Sequence, residues 1–130
     1  MTRDALKDIY NGYIACLNAQ DWPRLGTFVH AGARHNGRAL GLSGYRAMLE
    51  YDYREIPDLQ FTVDFVIADS PDLAARLLFD CHPAGLFLGL PVNGRRVTFT
   101  ENVFYRFEDG LIRDVWSVVD KAEIERQLRA

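Results

Sequence analysis

The sequence predicts an α+β fold in which a curved, antiparallel or mixed sheet packs on three N-terminal helices. Apolar residues recur at three- and four-residue steps in the first half and switch to alternation after Asp58. An Asp-Gly pair then joins two long alternating runs near the end.

Leu6, Ile9, Tyr10, Tyr13, Ile14 and Leu17 share one face of a first helix, with Thr2 placed to cap it. Asp21-Trp22-Pro23 starts a second, short helix reaching about Val29: Asp caps, and Pro is tolerated in a first turn, where its missing N–H costs nothing. His30 falls at the end of that helix. Residues 31–42 mix glycines with Arg34, His35, Asn36 and Arg38, which predicts a turn-rich connection that can include a short strand. Ser43 caps a third helix running through Arg54, with Tyr45, Met48, Leu49 and Tyr51 turned inward, and Pro57-Asp58 ends it.

Phe61, Val63, Phe65 and Ile67 alternate with Thr62, Asp64, Val66 and Ala68, a strand whose first set forms the more apolar face. Ser70-Pro71-Asp72 is a turn and Leu73–His82 a second strand. Arg96–Phe107 and Leu111–Val119 are two long strands joined through Asp109-Gly110, a tight hairpin signal, and Lys121–Leu128 is a last helix. A sheet curling around the first helix leaves a concave, aromatic-lined space at one end, where a ligand belongs.

The 130 residues make one domain, 1–130. A hydrophobic fraction of 48% with 25% charged residues excludes a disordered chain. Acids outnumber Lys and Arg by 18 to 15, with no basic block to track phosphates, so nucleic acid is not an expected partner. The N-terminus lacks the basic stretch and apolar core of a secretory signal. Apolar runs such as Leu86–Leu90 fall far short of the roughly 20 residues that cross a bilayer. A cytoplasmic protein with no membrane association is expected, with Cys16 and Cys81 as buried free thiols. Three histidines without regular spacing argue against a metal site. The Gly-rich residues 37–44 follow no strand and open no phosphate-binding motif, so no nucleotide cofactor, and no cofactor at all, is expected.

The run from His82 through Gly85-Leu86-Phe87-Leu88-Gly89, Pro91, Gly94-Arg95 and Val97-Thr98-Phe99 resembles the stretch T-H-x-G-x-F-x-G-x-P-P-T-G-K-x-V-x-F of SnoaL-like polyketide cyclases and bacterial ester cyclases. Arg106, Asp109-Gly110, Ile112, Asp114, Trp116 and Asp120 resemble R-x-x-D-G-K-I-x-E-x-W-x-x-x-D, Gln127-Leu128 matches a closing Q-L, and His35-Asn36 and Pro57-Asp58-Leu59 match H-N and P-D-L upstream. Cys81 stands for Thr, one residue is added after His82, Val92-Asn93 replaces Pro-Thr, and Leu111 replaces Lys. The resemblance implies the cone-shaped fold shared with nuclear transport factor 2 and ketosteroid isomerase, usually as a homodimer. It also implies an intramolecular aldol cyclisation of a methyl ester, with an aspartate as acid/base and neither metal nor Schiff base.

Such chemistry needs a carboxylate beside the acidic carbon, a donor for the developing oxyanion and apolar walls. The resemblance places the aspartate at Asp120, although Asp120-Lys121-Ala122-Glu123 also has the spacing of a helix capping box. His82 matches the family histidine; it either donates to an enolate oxygen or pins the start of a loop. His35 and Asn36 match positions that line the pocket. Glu101, Tyr105 and Phe107 share one strand face, and Asp114, Trp116 and Asp120 share one face of the next. If the Tyr105 and Trp116 faces both look inward, Glu101 is a second carboxylate near the pocket; the opposing expectation pairs it with an arginine such as Arg76 or Arg96. Phe87 lies in an apolar run, residues 85–90, that forms either a lid over the ligand or a dimer seam.

Two functions fit. One is a cofactor-free acid/base enzyme acting on a hydrophobic carbonyl or polyketide-type compound as cyclase, isomerase or hydrolase. The other is a non-catalytic small-molecule-binding protein. At least two titratable groups converging on one spot with shifted pKa values would favour the enzyme.

Overall fold

The computed structural model describes residues 1–130. Helix α1 (Arg3–Asn18) is capped by the Thr2 hydroxyl, which accepts the Ala5 N–H at 3.0 Å. A 3-10 helix (Trp22–Thr27) follows, then strands β1 (Val29–His35) and β2 (Arg38–Ala39) and helix α2 (Gly41–Glu55). The second half holds β3 (Thr62–Asp69), β4 (Asp72–Cys81), the short β5 (Leu86–Phe87) and β6 (Leu90–Pro91), β7 (Val97–Glu108), β8 (Leu111–Val119) and helix α3 (Lys121–Arg129).

Six strands form one sheet in the order β2-β1-β8-β7-β4-β3, and β5-β6 form a separate hairpin. Every pairing is antiparallel except β1 with β8. Irregularities in register between Val29 and Arg34, Val63 and Phe65, and Arg106 and Phe107 bend the strands. The sheet therefore wraps α1 instead of lying flat. The apolar face of α1 meets the inward rows of β4 and β7: Leu6, Tyr10, Tyr13 and Leu17 are buried with Leu73, Leu77, Val103 and Tyr105. Each such side chain contributes roughly 1.5–3 kcal/mol. Ile124 of α3 is buried as well, and the Gln127 amide closes the start of β7 by accepting the Thr98 N–H at 2.9 Å.

Three expectations are corrected. Residues 29–39 form a seven-residue strand and a two-residue hairpin partner, more regular than a turn-rich connection with a short strand, and His30 lies within β1 and not at a helix end. The turn between β1 and β2 is Asn36-Gly37, both at positive φ, the conformation that matches strand twist and that Asn-Gly adopts readily. Asp109-Gly110 makes the same turn between β7 and β8, as expected. Helix α2 starts at Gly41 rather than at Ser43 and has no side-chain cap. In β3 the irregularity after Val63 reverses the phase of the alternation, so Val66 and Ala68 turn inward while Phe65 and Ile67 are 52% and 63% exposed on the outside.

Candidate active site

Between the sheet and α2 lies a cavity of about 940 Å³, lined mostly by apolar side chains such as Leu17, Leu49, Phe61, Leu77, Phe79 and Phe99. Few polar groups enter it, and their placement follows from strand and helix periodicity.

Glu101 sits in the inward row of β7, between Phe99 and Val103, and pairs in register with Leu77 and Val119. Burial pushes its carboxyl up to about 7; interaction with the Ser117 hydroxyl pulls the other way, and the Asp52 charge adds to the rise. The alternative partnering is not met. Arg76 binds Asp64 at 2.6 Å and Arg96 binds Asp80 at 2.7 Å, and Glu101 forms no ion pair.

Asp52, on α2, is the second carboxyl in the cavity, raised by burial to about 6 and without an ion-pair partner. Its one signal in the sequence is spacing: it follows Tyr45, Met48 and Leu49 by seven, four and three residues and so falls on their helix face.

His35 ends β1 and lines the cavity. Its Nε2 is 3.4 Å from the Ser117 Oγ, and its Nδ1 is buried without a hydrogen-bond partner. Burial and the nearby Arg38 charge lower its pKa, so the ring is neutral at pH 7. Asn36 sets this geometry. It accepts the Ser117 N–H at 2.9 Å, returns a longer bond to the Ser117 carbonyl, and gives its own N–H to Val115 O at 2.8 Å, locking the end of β1 to β8.

Beside Glu101 are two hydroxyl pairs, Tyr13 with Tyr45 at 2.7 Å and Tyr10 with Tyr105 at 3.1 Å. Burial raises all four phenols, keeping them as O–H donors across the physiological range. Phe87 lines the opening with its ring 5.4 Å from Phe99, and Leu88 beside it holds a positive φ.

Three predicted site residues lie elsewhere. Trp116 is directly opposite Phe104 in the β7–β8 register, whereas Tyr105 is opposite Val115; the Trp116 face is therefore the outer face, and Trp116 is 41% exposed. Asp120 is exposed outside the cavity lining, and its carboxylate accepts the Glu123 N–H at 3.2 Å as the cap of α3. His82 is exposed and also outside the lining; Asp58 takes its Nδ1–H at 2.7 Å and its backbone N–H at 2.9 Å, pinning the start of the 82–96 segment. Asp120→Asn is expected to leave both stability and turnover within twofold, since Asn caps equally well, while Asp120→Ala costs about 1 kcal/mol in urea denaturation. A hundredfold loss of turnover in Asp120→Asn would return that residue to the chemistry.

Residues 7–128 match the profile of the SnoaL-like polyketide cyclase family, and the chain belongs to that family. It is similar to the crystal structure of a SnoaL-like polyketide cyclase from Agrobacterium tumefaciens, at 55% identity and a TM-score of 0.95 over 98% of this chain and 99% of that one. TsrD from Streptomyces laurentii is 28% identical with a TM-score of 0.85, covering 98% and 97%. IdmH from Streptomyces antibioticus shares the fold at 20% identity, with a TM-score of 0.81 over 96% and 99%. No curated protein matches the chain.

Proposed function

We propose that this protein is an acid/base enzyme acting on a hydrophobic carbonyl compound of polyketide type, by cyclisation, isomerisation or hydrolysis. The observation that carries this reading is the pair of unneutralised carboxyls, Asp52 and Glu101, that face one apolar cavity beside a neutral His35. A receptacle gains nothing from burying two acids without partners; a catalyst gains an acid and a base near neutral pH. Between about pH 6 and about pH 7 Asp52 is ionised and Glu101 still holds its proton. Asp52 then removes a proton from the carbon beside the carbonyl, and Glu101 or a tyrosine O–H donates to the enolate oxygen. In a cyclisation the enolate carbon attacks a second carbonyl, the first carbonyl re-forms as its donor keeps its proton, and the new alkoxide takes the proton that Asp52 removed.

The test is deuterium wash-in at the α-carbon of α-tetralone in D₂O, followed by NMR. A bell-shaped rate with limbs near 6 and 7 is expected. No exchange above buffer at any pH would favour the binding protein.

A homodimer built on the outer sheet face belongs to the same proposal. Ile67, Ala74, Phe104 and Trp116 form one cross-strand row there, with Phe65 and Val118 in the neighbouring row, and Phe104 is 61% exposed. Phe104→Asp is expected to give a monomer in sedimentation, while Phe87→Ser, at the cavity opening, leaves the dimer intact. Dissociation by Phe87→Ser alone would move the seam to residues 85–90.

A further inference from the structure

The cavity lining carries three exposed cations that no carboxylate in the chain neutralises. Arg38 follows the Asn36-Gly37 turn, Arg54 lies in the last turn of α2, and Lys121 opens α3; all three are exposed and line the cavity. None of them forms an ion pair. Elsewhere on the surface Arg34, Arg76, Arg96 and Arg106 are each held by an aspartate at 2.6–2.8 Å.

In a chain of net charge -3, unpaired positive charge from three separate elements on the exposed part of one cavity lining runs against the composition. Arg54 is further fixed, its guanidinium 5.7 Å from the centre of the Tyr51 ring, and the Arg38 charge reaches the His35 ring inside. The acids in the lining, Asp52 and Glu101, are largely shielded from solvent and form no ion pair with these cations.

We propose that the ligand is an amphipathic acid, whose apolar body fills the cavity while a carboxylate or phosphate is held at the mouth by Arg38, Arg54 and Lys121. Arginine forks match both anions, and a low-dielectric cleft concentrates the field of charges at its opening. Anchoring the charged end at the rim fixes how deep the carbonyl reaches, and so presents its α-carbon to the carboxyls. The inference rests on the cavity being the substrate site, and it departs from the neutral methyl ester that the family resemblance implies.

The test compares binding of anthracene-2-carboxylate with that of its methyl ester, by ligand fluorescence at pH 7 and low salt. The acid is expected to bind at least tenfold more tightly, and Arg38→Ala/Arg54→Ala/Lys121→Ala to abolish that preference while leaving ester affinity within twofold. An ester that binds as tightly as the acid, or a preference that survives in the triple variant, overturns the proposal. Within the expected result, displacement by millimolar inorganic phosphate assigns the rim to a phosphate-bearing ligand, and resistance to it assigns a carboxylate. Exchange on neutral α-tetralone is scored separately, so an unsubstituted protein that shows no anion preference yet retains exchange removes the rim site and leaves the acid/base reading standing.

Discussion

Glu101→Gln is expected to slow α-proton exchange on α-tetralone at least a hundredfold and to erase the upper limb of its pH profile. Positioned acid/base groups supply about 10²–10⁴ in rate, and Gln keeps the shape of Glu while removing the transferable proton. The residual rate then rises through about pH 6, where Asp52 ionises, and does not fall again. Asp52→Asn is expected to produce a loss of similar size and to erase the lower limb instead. Unequal limbs in the two variants assign the acid and the base; a Glu101→Gln protein with an unchanged profile would remove Glu101 from the chemistry.

The same substitution is expected to stabilise the fold. The folded carboxyl titrates near 7 against an ordinary value of 4.5, so between those values the folded chain holds a proton that the unfolded chain releases. Stability therefore falls as pH rises through this window. Below the lower value both states are protonated and the ionisation cost is absent; above about 7 the full cost of ionising the shielded carboxyl is present. Gln carries no such proton. The gain in Glu101→Gln should be near zero at pH 4 and reach up to about 3 kcal/mol at pH 8, read by urea denaturation. Asp52→Asn follows the same sign through its lower window, from 3.8 to about 6. A gain independent of pH, or a loss at pH 8, would mean that Glu101 is not held in a desolvated site.

Much of the fold was legible because burial alternates plainly: the inward residues of β4 and β7 are buried one in two. What escaped has physical causes. In β1 only Val29 and Ala33 are buried among His30, Gly32, Arg34 and His35, and a register irregularity breaks the period, so the strand did not look like one. Asn36-Gly37 was the available signal, the same kind of turn read correctly at Asp109-Gly110. In β3 an irregularity after Val63 turned the most apolar set outward, which no count of alternating residues reveals.

The site was half legible for similar reasons. Glu101 and Tyr105 follow from strand alternation, and His35 and Asn36 from the family resemblance. Which face of β8 looks inward depends on register, and Tyr105 opposite Val115 sends Trp116 outside. Asp52 shared a helix face with Tyr45 and Leu49, but an acid on an apolar face is easily read as solvated.

The proposed chemistry requires two carboxyls that titrate near neutrality in one apolar cavity. Carbon-13 NMR of the side-chain carboxyls, assigned through Glu101→Gln and Asp52→Asn, measures this directly. Midpoints near 7 for Glu101 and near 6 for Asp52 are expected. Midpoints for both in the ordinary range around 4 would contradict it.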